Sequence, residues 1–503
     1  MDNNENSSSS AGMSRGKFIK NSALAAAGFY IVPRHVLGGK GFVAPSDKLY
    51  IACVGCGGEG ENDIHHYANA PKKNAEVAFL CDVDDRMAAK RRKEFPKAPF
   101  YHDWREMFEK ESKNFDAVSV AIPDHNHAIV GLSAMQLKKH LYLQKPLTHD
   151  IYEARILTKA ASKYKVVTQM GDQGASGDGM RLMREWLEAD LIGDIQKVYN
   201  WTNRPVWPQG IPWPTDKPPV PKELNWDLWL GTAEYVDYFD NLVPFNWRGW
   251  WRFGTGALGD MACHIIGPSF KLFNLGYPTE VTCSASTVYS GIFKEADYPE
   301  SIPVSTRLRY TFKLKDGRDL EVYWMDGGLI PDRIEEIGDG DAGLEMASMD
   351  DYEGGSLFIG SKGKMSCGWG GLYPRLLPLS RNKEINVPAK YARVEGGMDG
   401  HWWQWVDACI AGYGNMEVDS PFEGYAGPLT ETVLMGNLLL RCFNLKTKVT
   451  RHDPVYGDQV EYTTPGRYLN YKWDGENMRI TNFEPANQFV RRTYRKGWGE
   501  LTL

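Results

Sequence analysis

Lys145, in the run Leu143-Gln144-Lys145-Pro146-Leu147, and the pair Asp260 and His264, in Asp260-Met261-Ala262-Cys263-His264, are the residues of this chain best suited to proton chemistry. On a helix, an i,i+4 spacing puts Asp260 and His264 on one face, where both can meet one substrate hydroxyl. A histidine takes up a proton near neutral pH, and a lysine ammonium polarises an oxygen and steadies it as an alkoxide. The set suits removal of a hydroxyl proton while hydride leaves the same carbon, and that chemistry needs no metal. Pro146 disfavours helical backbone at Lys145, so the amine can be held rigidly at the end of an extended segment.

Hydride needs an acceptor, and a glycine-rich turn marks where one would sit. The apolar run 49–54 feeds into Gly55-Cys56-Gly57-Gly58-Glu59-Gly60, a G-x-G-x-x-G, and residues 61–70 can continue as a helix. The first glycine allows the tight turn, the second lets backbone approach a pyrophosphate, and the third lets the helix pack on the strand, with helix N-terminal amides facing the phosphates. A second apolar run, 77–81, ends on Asp82, at about the 20-residue distance where an acid meets the adenosine ribose. Asp82 would repel a 2′-phosphate, which favours NAD over NADP; Arg86 nearby keeps NADP open.

Two further strand-like runs follow. Residues 115–122 end at Pro123-Asp124-His125-Asn126-His127, residues 141–143 end at Gln144-Lys145-Pro146, and 128–139 between them reads as helix. In a doubly wound sheet, ligands sit at the carboxyl ends of strands, so Pro123, His127, Gln144 and Lys145 fall beside the cofactor. His127 taken alone also fits a helix-capping or core histidine.

These residues resemble the glucose-fructose oxidoreductase, inositol dehydrogenase and rhizopine-catabolism (Gfo/Idh/MocA) oxidoreductases. The likeness runs from the glycine turn through Gln144-Lys145-Pro146, usually Glu-Lys-Pro, to the stretch from Trp247-Arg248-Gly249-Trp250-Trp251-Arg252 through Asp260 and His264. The resemblance implies an α/β chain in which an N-terminal Rossmann dinucleotide-binding domain precedes an α/β domain with an open, largely antiparallel sheet that supports substrate and often the oligomer. It matches Lys145 to the catalytic lysine and Asp260 and His264 to the D-x-x-x-H pair. Gln144 departs from the usual Glu, and Gly267 stands where many relatives have a second Asp. The resemblance permits two activities: net hydride transfer at a secondary hydroxyl or ketone of a sugar or glycoside, with ping-pong use of bound cofactor open, and NAD-dependent glycoside cleavage by transient oxidation and elimination.

The chain has 503 residues. At about 150 residues per domain, two large domains with insertions are expected: 46–170 for the dinucleotide and 171–503 for the substrate, behind a segment 1–45. A net charge of −6 with scattered lysines offers neither the basic stripe of a nucleic-acid binder nor a surface for anionic membranes. Cys53 and Cys56 have C-x-x-C spacing, but one sits in the first strand and the other in the glycine turn, with no second pair to complete a zinc site. All eight cysteines read as structural and unpaired.

Ahead of the first strand, Ser14-Arg15-Gly16-Lys17-Phe18-Ile19-Lys20 precedes the apolar stretch 22–32, too short to span a membrane and similar to an export signal. The pattern is like a twin-arginine signal with Gly16 replacing the second Arg, and no clean cleavage site follows. The expected location is therefore periplasmic or otherwise exported, with a cytoplasmic extension as the alternative. Related secreted members suggest that 33–47 lies across a cofactor carried out with the folded enzyme.

In the second half, residues 195–201, 280–287 and 304–312 read as strands, and Asp316-Gly317 turns the chain into 319–324. Residues 356–359 and 364–367 form a second expected hairpin, and 401–411 and 423–443 carry helical periodicity. A Pro- and Trp-rich loop spans 204–221 and leads to Trp226 and Trp229. Tryptophan faces suit a sugar ring. Beside the catalytic motif, Trp251 and Arg252 are candidate substrate contacts, though Trp251 also fits as cover for the second sheet, the reading preferred for Trp207 and Trp213.

Overall fold

The computed structural model describes residues 47–336 and 354–503. The export-like segment therefore lies outside the described residues, as does nearly all of the arm after it.

Short apolar runs alternating with amphipathic stretches build a parallel sheet: β1 (Leu49–Val54), α1 (Glu59–Ala68), β2 (Ala75–Cys81), α2 (Asp85–Glu94), β3 (Phe100–Tyr101), α3 (Trp104–Glu111), β4 (Ala117–Val120), α4 (His127–Gln136), β5 (His140–Leu143), α5 (Ile151–Tyr164) and β6 (Thr168–Met170). The strand order β3-β2-β1-β4-β5-β6 is the doubly wound one, with its reversal between β1 and β4. All of β4 and nearly all of β1 is buried, as strands covered on both faces must be. Helix starts follow the side chains available: Asp84 caps α2 through the Arg86 amide, and Asp150 and Glu153 form a reciprocal capping box on α5.

After α6 (Asp178–Glu188), the chain enters a nine-stranded sheet through β7 (Ile195–Trp201). Next come the short α7 (Trp226–Leu230), the long α8 (Gly256–Phe273), β8 (Glu280–Ala285) and the small hairpin β9 (Tyr289–Gly291) and β10 (Lys294–Glu295). The elements β11 (Thr306–Lys313), β12 (Asp319–Met325), β13 (Gly355–Gly360), β14 (Lys364–Gly368), β15 (Arg375–Leu377), α9 (Gly400–Ala411) and α10 (Gly427–Phe443) follow. Last are the hairpin β16 (Thr447–Asp453) and β17 (Gly457–Thr463), then β18 (Tyr471–Asp474) and β19 (Arg479–Ile480).

The second sheet runs β15-β14-β13-β7-β12-β11-β8-β18-β19, antiparallel throughout except for the β7–β12 pair. One face carries Leu308, Tyr310 and Phe312 of β11 inward, with Arg307 and Arg309 on the other face. α8 and α10 lie on the apolar face. At Gly436 of α10 a Cβ would stand 2.4 Å from the Tyr310 hydroxyl and 2.5 Å from Leu258, so only glycine permits this approach. Arg155 of α5 forks onto Glu431 of α10 at 2.7 Å through both Nε and Nη2, tying the Rossmann helices to this layer. Residues 49–503 form one compact unit.

Two differences from the sequence reading concern helix and strand ends. α10 begins at Gly427 rather than near 423, because Glu423 is extended and Gly424 has φ 73°. The strand expected from 304 begins at Thr306, where the Asp326 carboxylate accepts from the Thr306 amide and hydroxyl.

Candidate active site

A cavity of about 650 Å³ opens at the reversal point of the Rossmann sheet, within the range of small-molecule sites. Its floor is the β1–α1 turn. Gly55, at φ 93°, has no room for a side chain: a Cβ would lie 2.0 Å from the Ala121 carbonyl oxygen. At Gly60 a Cβ would lie 2.3 Å from the Gly55 carbonyl oxygen, so the third glycine lets α1 close on the turn, as expected. Gly58, at φ 53°, has open space where a Cβ would point, and it lines the cavity with Gly57 and Glu59. The space beside Gly57 is taken by Met87, so Gly58 provides the open side of the cradle. A glycine cradle at a helix N-terminus beside an acid at the end of β2 fits a dinucleotide.

Asp82 lines this end. Its Oδ2 accepts from the Cys56 amide at 2.8 Å and its Oδ1 from the Asp84 amide at 2.9 Å. Burial pushes its carboxyl up to about 6, against the pull of those amides. Arg86, expected as a cofactor contact, is turned away: its Nε and Nη2 bind Asp84 at 2.9 and 2.6 Å, and it does not line the cavity. The acid two residues before it wins because it can take both guanidinium nitrogens at once.

Pro123, His127, Gln144 and Lys145 all reach the cavity from the ends of β4 and β5. His127 is a clamp: its Nδ1 lies 2.9 Å from the Pro146 carbonyl and its Nε2 2.6 Å from that of Ile122, which fixes the loop carrying Lys145. Gln144 donates through Nε2 to the buried Asp63 of α1 at 2.9 Å, and Trp402 Nε1 donates to the same carboxyl at 2.8 Å. Gln144, where the family resemblance has Glu, is thus an amide, with an acid facing it from the helix. Burial, with Glu59 nearby, pushes the Asp63 carboxyl well up despite these donors.

α8 presents Asp260 and His264 to the cavity on one face. Lys145 Nζ donates to the Asp260 carbonyl at 2.8 Å and to its Oδ1 at 3.0 Å. Arg248 stands 3.3 Å from Oδ1 and Arg204 3.7 Å from Oδ2. Burial alone would raise the Asp260 carboxyl, but Lys145, Arg248 and Arg204 outweigh it and hold it far below the ordinary range. Asp260 is therefore ionised and anchors Lys145, and it lines the cavity in which a substrate hydroxyl contact is expected of it.

His264 has a different partner. Its Nδ1 lies 2.9 Å from Oδ1 of Asp172, two residues past β6, whose Oδ2 accepts from the Tyr425 hydroxyl at 2.7 Å. Burial opposes the charge on Asp172, yet the bonds from His264 and Tyr425 hold its carboxyl below the usual value. Asp172 was missed in the sequence, although its position just past a strand's carboxyl end is where such a group belongs. Arg248, quoted only as part of a motif, also lines the site, with its guanidinium 4.5 Å from the Trp247 ring.

Trp251 and Arg252 are corrected. Trp251 is in the core, against Arg441 of α10, and Arg252 spans Glu234 and Glu300 at 3.0 and 3.3 Å; neither lines the cavity. The turn through Trp250 and Phe253 directs them away from α8's polar face, and burying an indole under α10 removes far more apolar area from water than leaving it at a wet rim. Trp207 and Trp250 are likewise buried, while Trp213 packs on Phe239 and Trp250. The aromatic rings that do line the cavity include Trp229, Trp247, Trp369 and Trp402.

Comparison with known proteins matches residues 49–172 to the Gfo/Idh/MocA model described as an oxidoreductase family, NAD-binding Rossmann fold, and residues 194–315 to the family's C-terminal alpha/beta domain. Levoglucosan dehydrogenase of Pseudarthrobacter phenanthrenivorans is 24% identical over 192 residues, 37% of this chain and 40% of that one. Inositol 2-dehydrogenase/D-chiro-inositol 3-dehydrogenase of Lacticaseibacillus casei is 28% identical over 145 residues, 28% of this chain and 41% of that one. The chain thus matches about two-fifths of the length of these curated relatives. Among solved structures, levoglucosan dehydrogenase in complex with NADH and L-sorbose shares the fold at TM-score 0.50 and 15% identity, over 78% of this chain and 96% of that one. With both domain models matched in order, the chain belongs to the Gfo/Idh/MocA oxidoreductase family.

Proposed function

We propose that the protein moves a hydride between bound nicotinamide and a secondary hydroxyl or ketone of a sugar or glycoside. The observation that carries this is the setting of Lys145 and His264 on one cavity, each held by its own buried carboxylate: Lys145 by Asp260, and His264 by Asp172. Bound NAD would be held by the turn at Gly55 to Gly60, by Asp82 and by the ends of β4 and β5, and would supply the hydride acceptor. The Lys145 ammonium donates to the substrate oxygen and steadies its negative charge. With Nδ1 of His264 turned to Asp172, Nε2 is the nitrogen left to take the hydroxyl proton. In the reverse direction, as the ketone carbon takes up hydride, Lys145 steadies the charge that develops on its oxygen and His264 gives the proton back.

The sugar class is supported by the names of the relatives, which act on levoglucosan and inositol, both polyhydroxylated rings. It is supported as well by indole faces lining the cavity beside the cations Lys145 and Arg248. A screen of glycosides and keto-sugars with the holoenzyme, products identified by mass spectrometry and NMR, tests the reading: a keto-sugar or its reduced partner is expected, and no redox product from any sugar overturns it. We read residues 14–32 as an export signal and the enzyme as a homo-oligomer; cell fractionation and light scattering test these two points.

A further inference from the structure

The two matched domain stretches end at residue 315, yet the cavity is also lined by Trp498, close to the end of the chain. Its location can be placed from the strands. β3 pairs with β2 through Leu80–Phe100 and Cys81–Tyr101, and the Asp82 amide donates to the Tyr101 carbonyl at 3.1 Å. His102 and Trp104, just past β3, therefore stand at the Asp82 end of the cavity, and both line it. The Trp498 indole lies against the guanidinium of Arg105 at 4.4 Å, and Asp103 holds that guanidinium by a two-pronged pair at 3.0 and 2.7 Å. Trp498 thus belongs to the adenosine end, opposite in role to Lys145 and His264.

The segment carrying it is tied down, unlike most chain ends. Arg492 binds Glu153 through Nε at 3.0 Å and Nη2 at 2.8 Å, and reaches the His125 carbonyl. Arg495 binds Asp227 at 2.6 Å and the Gly231 carbonyl at 3.0 Å, and the Trp498 amide donates to the Arg495 carbonyl at 3.1 Å. These charge-assisted bonds fix the backbone three residues before the indole.

We propose that Trp498, delivered by this C-terminal strap, forms with Trp104 and His102 an aromatic wall for the adenine of the bound dinucleotide, and that it raises affinity and slows release. Every purine has a π face, and aromatic side chains bind such faces without needing matched hydrogen bonds. The inference rests on the NAD-binding domain and is independent of the sugar reading.

The test uses the full chain freed of nucleotide, with NAD and ADP-ribose as probes in calorimetry and stopped-flow release. ADP-ribose lacks nicotinamide, so an effect shared by both probes lies at the adenosine end. Trp498→Ala and Trp498→Leu are expected to weaken both probes by about tenfold or more and to speed NAD release in proportion. Trp498→Phe, which keeps an aromatic face, is expected to stay within about threefold of the unaltered protein. Should the Ala variant fail to fold, the Leu and Phe variants decide. Unchanged ADP-ribose affinity on losing the ring, equal loss with Leu and Phe, or no ADP-ribose binding by the unaltered protein each overturns the proposal.

Discussion

Asp172 holds Nδ1 of His264 at 2.9 Å from a loop after β6, not from the helix that carries the histidine. The alternative position on α8 is empty of side chain: at Gly267 a Cβ would come 2.7 Å from the Tyr425 hydroxyl and 3.3 Å from Asp172 Oδ2. Loop carboxylate and helix glycine are therefore two halves of one arrangement, since an aspartate at both places would crowd Tyr425 and set two charges together.

Asp172→Asn should lower kcat by roughly 10²–10⁴-fold, as removal of the carboxylate that orients a general-base histidine does, with NAD affinity nearly unchanged. Steady-state kinetics beside calorimetry separates the two quantities. A kcat within about twofold of the unaltered enzyme would show that the bond only supports packing.

Lys145→Ala and His264→Ala remove the groups proposed to touch the reacting oxygen and its proton. Each is expected to reduce kcat by roughly 10²–10⁴-fold while leaving the dinucleotide affinity within a few-fold. Turnover kept by both variants would refute their roles.

Asp82 is the residue proposed to set cofactor choice and its pH dependence. In that role its ionised form would accept from the ribose hydroxyls and repel a 2′-phosphate, so NAD should bind more tightly than NADP and Asp82→Ala should narrow the gap. Because burial lifts its carboxyl to about 6, NAD affinity should fall as pH drops through that value, and the Ala variant should lose this slope. For the unliganded fold the sign is opposite: a raised carboxyl contributes stability below its unfolded value, lost as pH rises through about 6. Calorimetry between roughly pH 5 and 7 checks the binding half; tighter NADP binding would contradict the assignment.

The Arg155 fork on Glu431 joins α5 to α10, with Glu431 fully buried. Removing one partner of such a pair leaves an uncompensated buried charge, so Arg155→Met should cost about 3–5 kcal/mol in denaturant unfolding. A loss under about 1 kcal/mol would mean that Glu431 takes up a proton at little cost.

How far the sequence could be read depended on the range of the rules involved. The glycine turn, Asp82 and the Lys145 strand end follow from local spacing, and Asp260 with His264 follows from helix geometry; the structure brings all of them to one cavity. Neighbourhood in sequence misled where the backbone turns: Trp251 and Arg252 adjoin the catalytic motif, yet the turn before α8 sends them to the core and to Glu234 and Glu300. Arg86 was lost to Asp84, a partner two residues away that no spacing rule weighs. Asp172 and Trp498 come from distant parts of the chain, and only tertiary packing sets the one beside His264 and the other against Arg105 at the cavity's edge. The nine-stranded sheet was legible as antiparallel because tight turns such as Asp316-Gly317 join neighbouring strands into hairpins, but the β7–β12 parallel contact joins strands far apart and leaves no local mark.

The most direct measurement follows NADH and carbohydrate together when the NAD-loaded enzyme meets the sugar or glycoside identified by the product screen, beside Lys145→Ala. The account predicts one NADH formed per keto-sugar, by an enzyme that loses this with Lys145. Release of an aglycone with no net NADH would contradict it and assign the same residues to redox-neutral glycoside cleavage.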